Sequence, residues 1–219
     1  MCFNNIIFDL DGTLVDSFQD IYSALAAAAD HLGLPAPAEN LMRDNMHLRL
    51  DQLVQSLYPD ADGNLLMQEF RNNYDGSGYP HTQPYPGVVE TLRLLRQQGC
   101  RLFVATNKRK VAAESIVSRF GSEGIIDDIK TSDCSNPPLS KTEIVQRILG
   151  EKRLDPKHTA LVGDTKGDWE AAVNNGIFFI FAAYGYGKLD LQTRDQSRML
   201  IIDLFPQLTC LCEVAGHTI

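Results

Sequence analysis

The feature that most restricts the fold of this chain is an alternation of apolar runs and helical patterns after about position 88. The apolar runs have strand length, and stretches with helical spacing separate most of them. Such alternation is typical of a parallel sheet with helices on both faces, so we predict an α/β fold with a doubly wound parallel sheet. The predicted strands are 3–8, 100–106, 125–131, 159–163, 177–182 and 199–202, and the predicted helices are 88–98, 111–120, 141–149 and 168–175.

A helical segment interrupts this pattern soon after the first strand. Residues 75–87, with three glycines and three prolines, have the composition of a connector that leads back to the α/β part. Ser17 followed by Asp20 predicts a capping box at the start of the segment. The predicted helices of the segment are 18–32, 38–57 and 64–74. We therefore expect an α/β catalytic core domain of residues 1–15 and 86–219 and a helical cap domain of residues 16–85.

The composition argues against several classes of partner. The 219 residues include 20 basic and 28 acidic side chains, and the net charge of -8 disfavours a nucleic-acid-binding surface. No apolar run is long enough to span a membrane, and the N-terminus lacks the pattern of a signal peptide. The five cysteines are interpreted as free thiols of a reducing compartment. We expect a cytoplasmic monomer or homodimer without a nucleic-acid or membrane partner.

Two carboxylates follow the first predicted strand. Asp9 and Asp11 are two positions apart, so on an extended segment both side chains point to the same side. Two neighbouring anions repel each other, and a fold tolerates them where a cation or a shared proton lies between them. Asp-Gly is also a strong turn signal, so this stretch taken alone fits a turn equally well.

Polar residues also follow two other predicted strands. Thr106 and Asn107 lie at the end of the second strand, and Asp164 follows the fourth. Because parallel strands bring their carboxyl ends to one edge of the sheet, we expect these residues to lie near Asp9 and Asp11. Four residues after Asp164, Asp168 can face the same way, and Lys141 supplies a positive charge. This set of groups suits Mg²⁺ together with a phosphate group.

These residues resemble the motifs of the haloacid dehalogenase superfamily, and within it the phosphoglycolate phosphatase-like hydrolases with a helical cap. The resemblance covers about residues 5–187 and implies a Rossmann-like core with an inserted cap. It also implies a Mg²⁺-dependent phosphatase that hydrolyses a small phosphorylated metabolite, phosphoglycolate-like or a sugar phosphate, through an aspartyl phosphate. The matching motifs are Asp9-Leu10-Asp11-Gly12-Thr13, Thr106 after an apolar strand, Lys141, and Gly163-Asp164-Thr165-Lys166-Gly167-Asp168.

The resemblance further implies catalytic roles for Asp9, Asp11, Thr106 and Lys141, and substrate binding by Thr106, Asn107 and Lys141. Asp9 is the implied nucleophile, and Asp11 is the implied general acid that later becomes the base for a water molecule. Thr106 and the main chain of Asn107 are implied to hold phosphate oxygens. Lys141 is implied to pair with Asp9 and with the transferring phosphoryl group.

A metal site is implied by the same resemblance. Mg²⁺ would bind the carboxylates of Asp9 and Asp164 and the main-chain carbonyl of Asp11. Asp168 would orient the outer ligands of the ion. The ion would offset the repulsion between the nucleophile and a phosphate dianion.

The sequence departs from the family pattern in two places. The family often has a Lys-Pro pair at its third motif, whereas Lys141 here follows Pro137-Pro138-Leu139-Ser140. The cap stretch 44–50 contains no glycine, although relatives often have a glycine-containing substrate loop there. Within it, Arg49 is a candidate for binding an anionic part of the substrate, and His47 is a second candidate. A surface position on an amphipathic helix is at least as good an interpretation of both.

Three other functions are alternatives to the phosphatase. A dehalogenase would not need the second carboxylate, Asp11. A sugar-phosphate mutase would keep both Asp9 and Asp11, so it stays open as an alternative. A non-catalytic binding protein with this fold is disfavoured, because buried like charges are costly without a use.

Overall fold

The computed structural model describes residues 3–120, 124–189 and 198–211. The chain divides into two compact units, which we call the α/β unit and the helical unit. The α/β unit consists of Met1–Val15 and Pro84–Ile219, and the helical unit is Asp16–Gln83. Among the described residues, no helix has the length and apolar character needed to cross a bilayer.

A six-stranded parallel sheet forms the centre of the α/β unit. Its strand order is β5-β4-β1-β6-β7-β8, so the order reverses at β1, as in doubly wound folds. Two short strands, β2 and β3, lie where the chain passes from one unit to the other. The strands are β1 (Asn5–Phe8), β2 (Val15–Asp16), β3 (Gln83–Pro84), β4 (Arg101–Thr106), β5 (Asp128–Thr131), β6 (Thr159–Gly163), β7 (Phe178–Ala182) and β8 (Met199–Ile202).

The described helices follow the predicted alternation. In the α/β unit, α5 to α8 separate most of the strands, whereas α1 to α4 belong to the helical unit. The predicted α/β doubly wound fold is confirmed. The helices are α1 (Phe18–His31), α2 (Glu39–Asn45), α3 (Leu50–Leu57), α4 (Gly63–Ser77), α5 (Val88–Gln97), α6 (Lys110–Ser118), α7 (Lys141–Lys152) and α8 (Lys166–Asn174).

Both faces of the central strand β1 are covered by apolar groups. Successive residues of a strand point to opposite faces. Ile7 belongs to a buried cluster with Ile144 of α7 and Ala171 of α8. On the other face, the ring of Phe8 packs against Phe205, with centroids 5.7 Å apart. The packing fixes β1 firmly, and therefore also the position of the residue that follows it.

Two predictions for the helical unit are wrong in detail. The single helix predicted over 38–57 is interrupted, because Arg49 is extended and starts α3 as its N-cap residue, with φ -65° and ψ 153°. The capping box predicted from Ser17 and Asp20 does not form. The Asp20 carboxylate instead accepts hydrogen bonds from the backbone N–H of His81 (3.0 Å), and from the N–H (2.6 Å) and hydroxyl (2.7 Å) of Thr82.

We expect the Asp20→Ala variant to lose about 2–3 kcal/mol of unfolding free energy, because three donors would lose a buried charged acceptor. Asp30, an exposed aspartate on the same helix, provides the matched control. Urea denaturation of wild type, Asp20→Ala and Asp30→Ala measures the difference. Equal losses in the two variants would contradict the expectation.

Candidate active site

The candidate site lies at the carboxyl edge of the sheet, at three neighbouring strands. Phe8, the last residue of β1, is paired with Val104 of β4 and with Val162 of β6. The residues that follow these pairs therefore reach the same edge. Asp9 comes directly after β1, Thr106 ends β4, and Asp164 comes directly after β6.

Three buried carboxylates meet at this edge. Asp9, Asp164 and Asp168 each offer an oxygen, and these oxygens lie within 4.8 Å of one another. Asp164 and Asp168 have no exposed surface, and Asp9 is 7% exposed. Residues from the two ends of the α/β unit, 155 or more positions apart in the chain, are thus brought together as the topology predicts.

Lys141 places one buried positive charge among these carboxylates. Its Nζ lies 2.6 Å from Oδ1 of Asp9 and 3.0 Å from Oδ1 of Asp168, and it donates a hydrogen bond to the carbonyl of Ala105 at 3.0 Å. Lys141 is the first residue of α7. A capping box between Ser140 and Glu143 fixes that start, which sets the direction of the lysine side chain.

Asp164 is held by donors on both of its oxygens. The Thr13 hydroxyl donates to Oδ1 at 3.2 Å, and the backbone N–H groups of Tyr186 and Gly187 donate to Oδ2 at 2.8 and 3.1 Å. The backbone of Gly12, where φ is +79°, lies so close to Asp164 that a Cβ atom at this position would overlap the Asp164 carboxylate. These contacts leave Asp164 with a single fixed orientation.

Asp168 has one oxygen in a capping box and one facing the cluster. Its Oδ2 accepts hydrogen bonds from the N–H and the hydroxyl of Thr165, at 3.0 and 2.6 Å, at the start of α8. Its Oδ1 is buried and lies 3.0 Å from Nζ of Lys141, with which it forms an ion pair. A buried anionic oxygen of this kind is an available ligand or an acceptor for a metal-bound group.

Burial and mutual repulsion change the ionisation of the cluster. Burial raises the pKa of Asp9 well above its usual value; Lys141 opposes this, and Asp168 and Asp164 add to it. Burial, and then the charge of Asp168, raises the pKa of Asp164 to about 7. Burial alone would lower the pKa of Lys141, but the charges of Asp168 and Asp9 outweigh it and raise that pKa. The lysine is therefore charged, and the carboxylates still need positive charge.

A divalent cation fits this set of groups. The three carboxylates, when ionised, outnumber the single ammonium, and all the cluster's ligand atoms are oxygens. Oxygen ligands of this kind are typical of hard cations such as Mg²⁺. The residues present thus fit a divalent metal, with Asp9, Asp164 and Asp168 as the candidate ligands or orienting groups.

The other predicted residues lie at the end of β4 or in the loops that follow β1 and β4. The Asp11 carboxylate is partly exposed and pairs with Nζ of Lys108 at 3.2 Å. The backbone N–H of Lys108 donates to the hydroxyl of Thr106 at 3.1 Å, and Ser132 donates to the carbonyl of Asn107 at 2.9 Å. The sequence did not single out Lys108 as a partner of Asp11, because a lysine after Asn107 also fits a solvated helix start.

The two candidate cap residues belong to the helical unit. His47 and Arg49 are both exposed. Nε of Arg49 lies 3.3 Å from Oδ1 of Asp51, an exposed pair that contributes little to stability.

Sequence reasoning missed the loop after β7, Tyr184-Gly185-Tyr186-Gly187. Two of its backbone N–H groups hold Asp164, and the Tyr184 hydroxyl donates to the carbonyl of Thr13 at 2.9 Å. Burial, and then the nearby Asp164, raises the pKa of Tyr184, so its hydroxyl stays protonated as a donor. The sequence does contain a signal for this loop. Glycines alternate at positions 185 and 187, just after a strand and at the edge of the sheet where ligands bind.

In metal-free protein, we expect the ionisation of Asp164 and Asp9 to lower the free energy of unfolding as pH rises from about 4 to about 7. Unfolded aspartate has a pKa of about 3.9, whereas folded Asp164 has one of about 7, so in this range the folded protein binds more protons than the unfolded chain. Protonation therefore stabilises the folded state, and this stabilisation is lost as the carboxyls ionise.

Urea denaturation in EDTA at pH 5 and pH 7 tests this expectation. Carboxyls such as Asp128, whose pKa is lowered, act in the opposite direction, so the comparison is made with Asp164→Asn. From pH 5 to pH 7, the free energy of unfolding of wild type should fall by roughly 1–3 kcal/mol more than that of this variant. The same pH dependence in both proteins would contradict the assignment.

Comparison with known proteins identifies a family and several relatives of this chain. The model of the haloacid dehalogenase-like hydrolase family matches residues 6–182. Tyrosine-protein kinase PtkA from Mycobacterium tuberculosis is 29% identical over 185 residues, which cover 84% of this chain and 64% of PtkA. The chain thus spans less than two thirds of the length of that relative.

Two other proteins match over nearly their whole length. The phosphoglycolate phosphatase of Aquifex aeolicus is 33% identical over 200 residues, which cover 87% of this chain and 89% of that protein. The haloacid dehalogenase-like family hydrolase SP0104 from Streptococcus pneumoniae has a similar structure, with a TM-score of 0.84, 25% identity and coverage of 95% and 97%. The resemblance drawn from the motifs is thereby confirmed, and the chain belongs to the haloacid dehalogenase-like hydrolase family.

Proposed function

We propose that this chain is a Mg²⁺-dependent phosphatase that hydrolyses a small phosphorylated metabolite through an aspartyl-phosphate intermediate. The observation that carries the proposal is the buried cluster of Asp9, Asp164 and Asp168, with Lys141 bound to Asp9. Similarity to a phosphoglycolate phosphatase supports the reaction class. The substrate is proposed to be a phosphoglycolate-like compound or a sugar phosphate.

Asp9 is the proposed nucleophile. Lys141 fixes its Oδ1, which lies 2.6 Å from the lysine Nζ. A carboxylate oxygen of Asp9 attacks the phosphorus atom, and the bond between phosphorus and the leaving oxygen breaks. The product is an acyl phosphate on Asp9, with Lys141 beside it to balance charge on the phosphoryl oxygens.

Asp11 is the proposed acid and base. It gives a proton to the leaving oxygen in the first step, and in the second step it accepts one from the water that attacks the acyl phosphate. Phosphate is released and the Asp9 carboxylate is regenerated. The partial exposure of the Asp11 side chain and its separate partner, Lys108, support a role distinct from that of Asp9. Thr106 and the Asn107 main chain are proposed to bind phosphate oxygens.

Mg²⁺ is the proposed cofactor, held by the carboxylates of Asp9 and Asp164 and the main-chain carbonyl of Asp11, with Asp168 as the orienting group. When bound, it supplies the positive charge that lets a carboxylate approach a phosphate dianion. The oxygen-only donor set of the cluster supports this choice.

The two units are proposed to have different functions. All the residues of the carboxylate cluster belong to the α/β unit, which supports its assignment as the catalytic core, and the helical unit is proposed as the cap. Arg49 remains a proposed substrate-binding residue. Within the described part of the chain, Cys100, Cys134 and Cys210 form no disulfide bond, which supports the proposal of a reducing, cytoplasmic location.

Replacement of the nucleophile tests the proposal directly. Phosphate release is measured with Mg²⁺ on a panel of phosphoglycolate, sugar phosphates, nucleotides and phosphonates. We expect Asp9→Asn to reduce release from the best substrate by roughly 10³-fold or more, since the amide cannot form the acyl phosphate. The control is Asp30→Asn, an exposed change on α1, which should match wild type. Equal release by wild type and Asp9→Asn would show that Asp9 is not the nucleophile.

The Asp11→Asn variant separates binding from turnover. We expect kcat to fall by about 10²–10⁴-fold with little change in KM, because proton transfer is lost while the phosphate contacts remain. Steady-state kinetics on the substrate found with the panel provide both constants. Unchanged turnover would remove Asp11 from its proposed role.

The alternative with the same nucleophile is a sugar-phosphate mutase. Both enzymes would form the aspartyl phosphate, but a mutase returns the phosphoryl group to a sugar, whereas a phosphatase transfers it to water. Product analysis by ³¹P NMR distinguishes them: an isomerised sugar phosphate without free phosphate would favour the mutase. A protein that converts no member of the panel and forms no phosphoenzyme would favour a binding role.

A further inference from the structure

We propose that Tyr184 is a positioning residue of the metal site, which orients the Asp164 carboxylate through Thr13. The inference rests on the proposed function, because it takes Asp164 to be a metal ligand. It concerns a residue outside the family motifs from which the site was predicted, in the loop after β7.

Thr13 connects the two side chains through two different groups. Its carbonyl accepts the hydrogen bond from the Tyr184 hydroxyl at 2.9 Å, and its own hydroxyl donates to Oδ1 of Asp164 at 3.2 Å. Thr13 and Asp164 are both completely buried, so water does not compete for the bond between them. A hydrogen bond to the ligand's carboxylate from a fixed neighbour is the usual way in which a protein orients a metal ligand.

The tyrosine ring is itself held in place. It packs edge-on against Tyr85, with centroids 4.9 Å apart and an interplanar angle of 63°. The backbone N–H of Tyr85 donates to the carbonyl of Leu14 at 3.0 Å, next to the residue that Tyr184 contacts. Because the ring is packed on one side, the direction of the Tyr184 hydroxyl towards Thr13 is fixed.

The same loop holds the other oxygen of Asp164 by a separate route. The N–H groups of Tyr186 and Gly187 donate to Oδ2, and a Cβ atom at Gly185 would overlap the Asp164 side chain. These backbone contacts do not depend on the side chain of Tyr184. The Tyr184→Phe change therefore removes only the link through Thr13 and keeps the ring and the backbone donors.

The test is Mg²⁺ binding to the full chain, measured by isothermal titration calorimetry without substrate. We expect the dissociation constant for Mg²⁺ to rise about 10-fold in Tyr184→Phe, the low end of the effects found for groups that orient metal ligands. The matched control is Tyr58→Phe. Tyr58 also donates its hydroxyl to a backbone carbonyl, that of Pro35, at 2.9 Å, but it belongs to the helical unit and should leave the constant unchanged.

Variants of Thr13 show whether the effect passes through this residue. Thr13→Val removes the hydroxyl that bonds Asp164, and Tyr184→Phe in that background should add less than twofold to the Mg²⁺ dissociation constant. Thr13→Ser keeps both the hydroxyl and the carbonyl, so it should bind Mg²⁺ like wild type. Thermal unfolding of each metal-free variant confirms that it is folded before titration.

The outcomes separate this inference from the proposed function. If wild type does not bind Mg²⁺, the proposed metal-dependent function fails and the inference fails with it. If wild type and Tyr184→Phe bind Mg²⁺ equally well, only the inference is overturned, and Tyr184 is a packing residue. An equal loss in Tyr58→Phe, or a full additional loss in the Thr13→Val background, also overturns it.

Discussion

Three buried carboxylates repel one another at the candidate site, and one buried ammonium only partly offsets that repulsion. The rest of the structure around the site has to compensate for what remains. Lys141 lies within 3.0 Å of both Asp9 and Asp168, yet burial still raises the pKa of Asp9 and Asp164. A protein interior does not tolerate such a group of charges unless neighbouring dipoles and a further positive charge stabilise them. The surrounding donors, from Thr13 to Gly187, supply the dipoles, and the proposed cation supplies the charge.

The topology explains how distant residues reach one place without a strained backbone. The strand order reverses at β1, so the ends of β4 and β6 lie on either side of the loop that carries Asp9. Two helix starts complete the arrangement, since the capping boxes of α7 and α8 fix Lys141 and Asp168 relative to the sheet. The same side chain of Asp168 serves as a cap and as a member of the cluster, which ties the site to the local folding of α8.

The sequence predicted the parts of the molecule that follow short-range rules. The bounds of β6 and β8 match the predicted strands, and the residues at the strand ends converge as parallel topology requires. The break within 38–57 was missed because helical spacing continues across an extended residue. The partners of Asp20 and the contact of Tyr184 with Thr13 were missed for another reason: they join residues 61 to 171 positions apart that carry no charge pattern or periodicity.

The proposed mechanism requires Asp9 and Asp164 to share one divalent ion. A high-resolution crystal structure of the protein with Mg²⁺ tests it most directly. We expect a single ion within the cluster, with a carboxylate oxygen of each residue and the main-chain carbonyl of Asp11 at about 2.0–2.1 Å and water at the other positions of an octahedron. An ion bound elsewhere, or the three carboxylates assembled without one at saturating Mg²⁺, would contradict it.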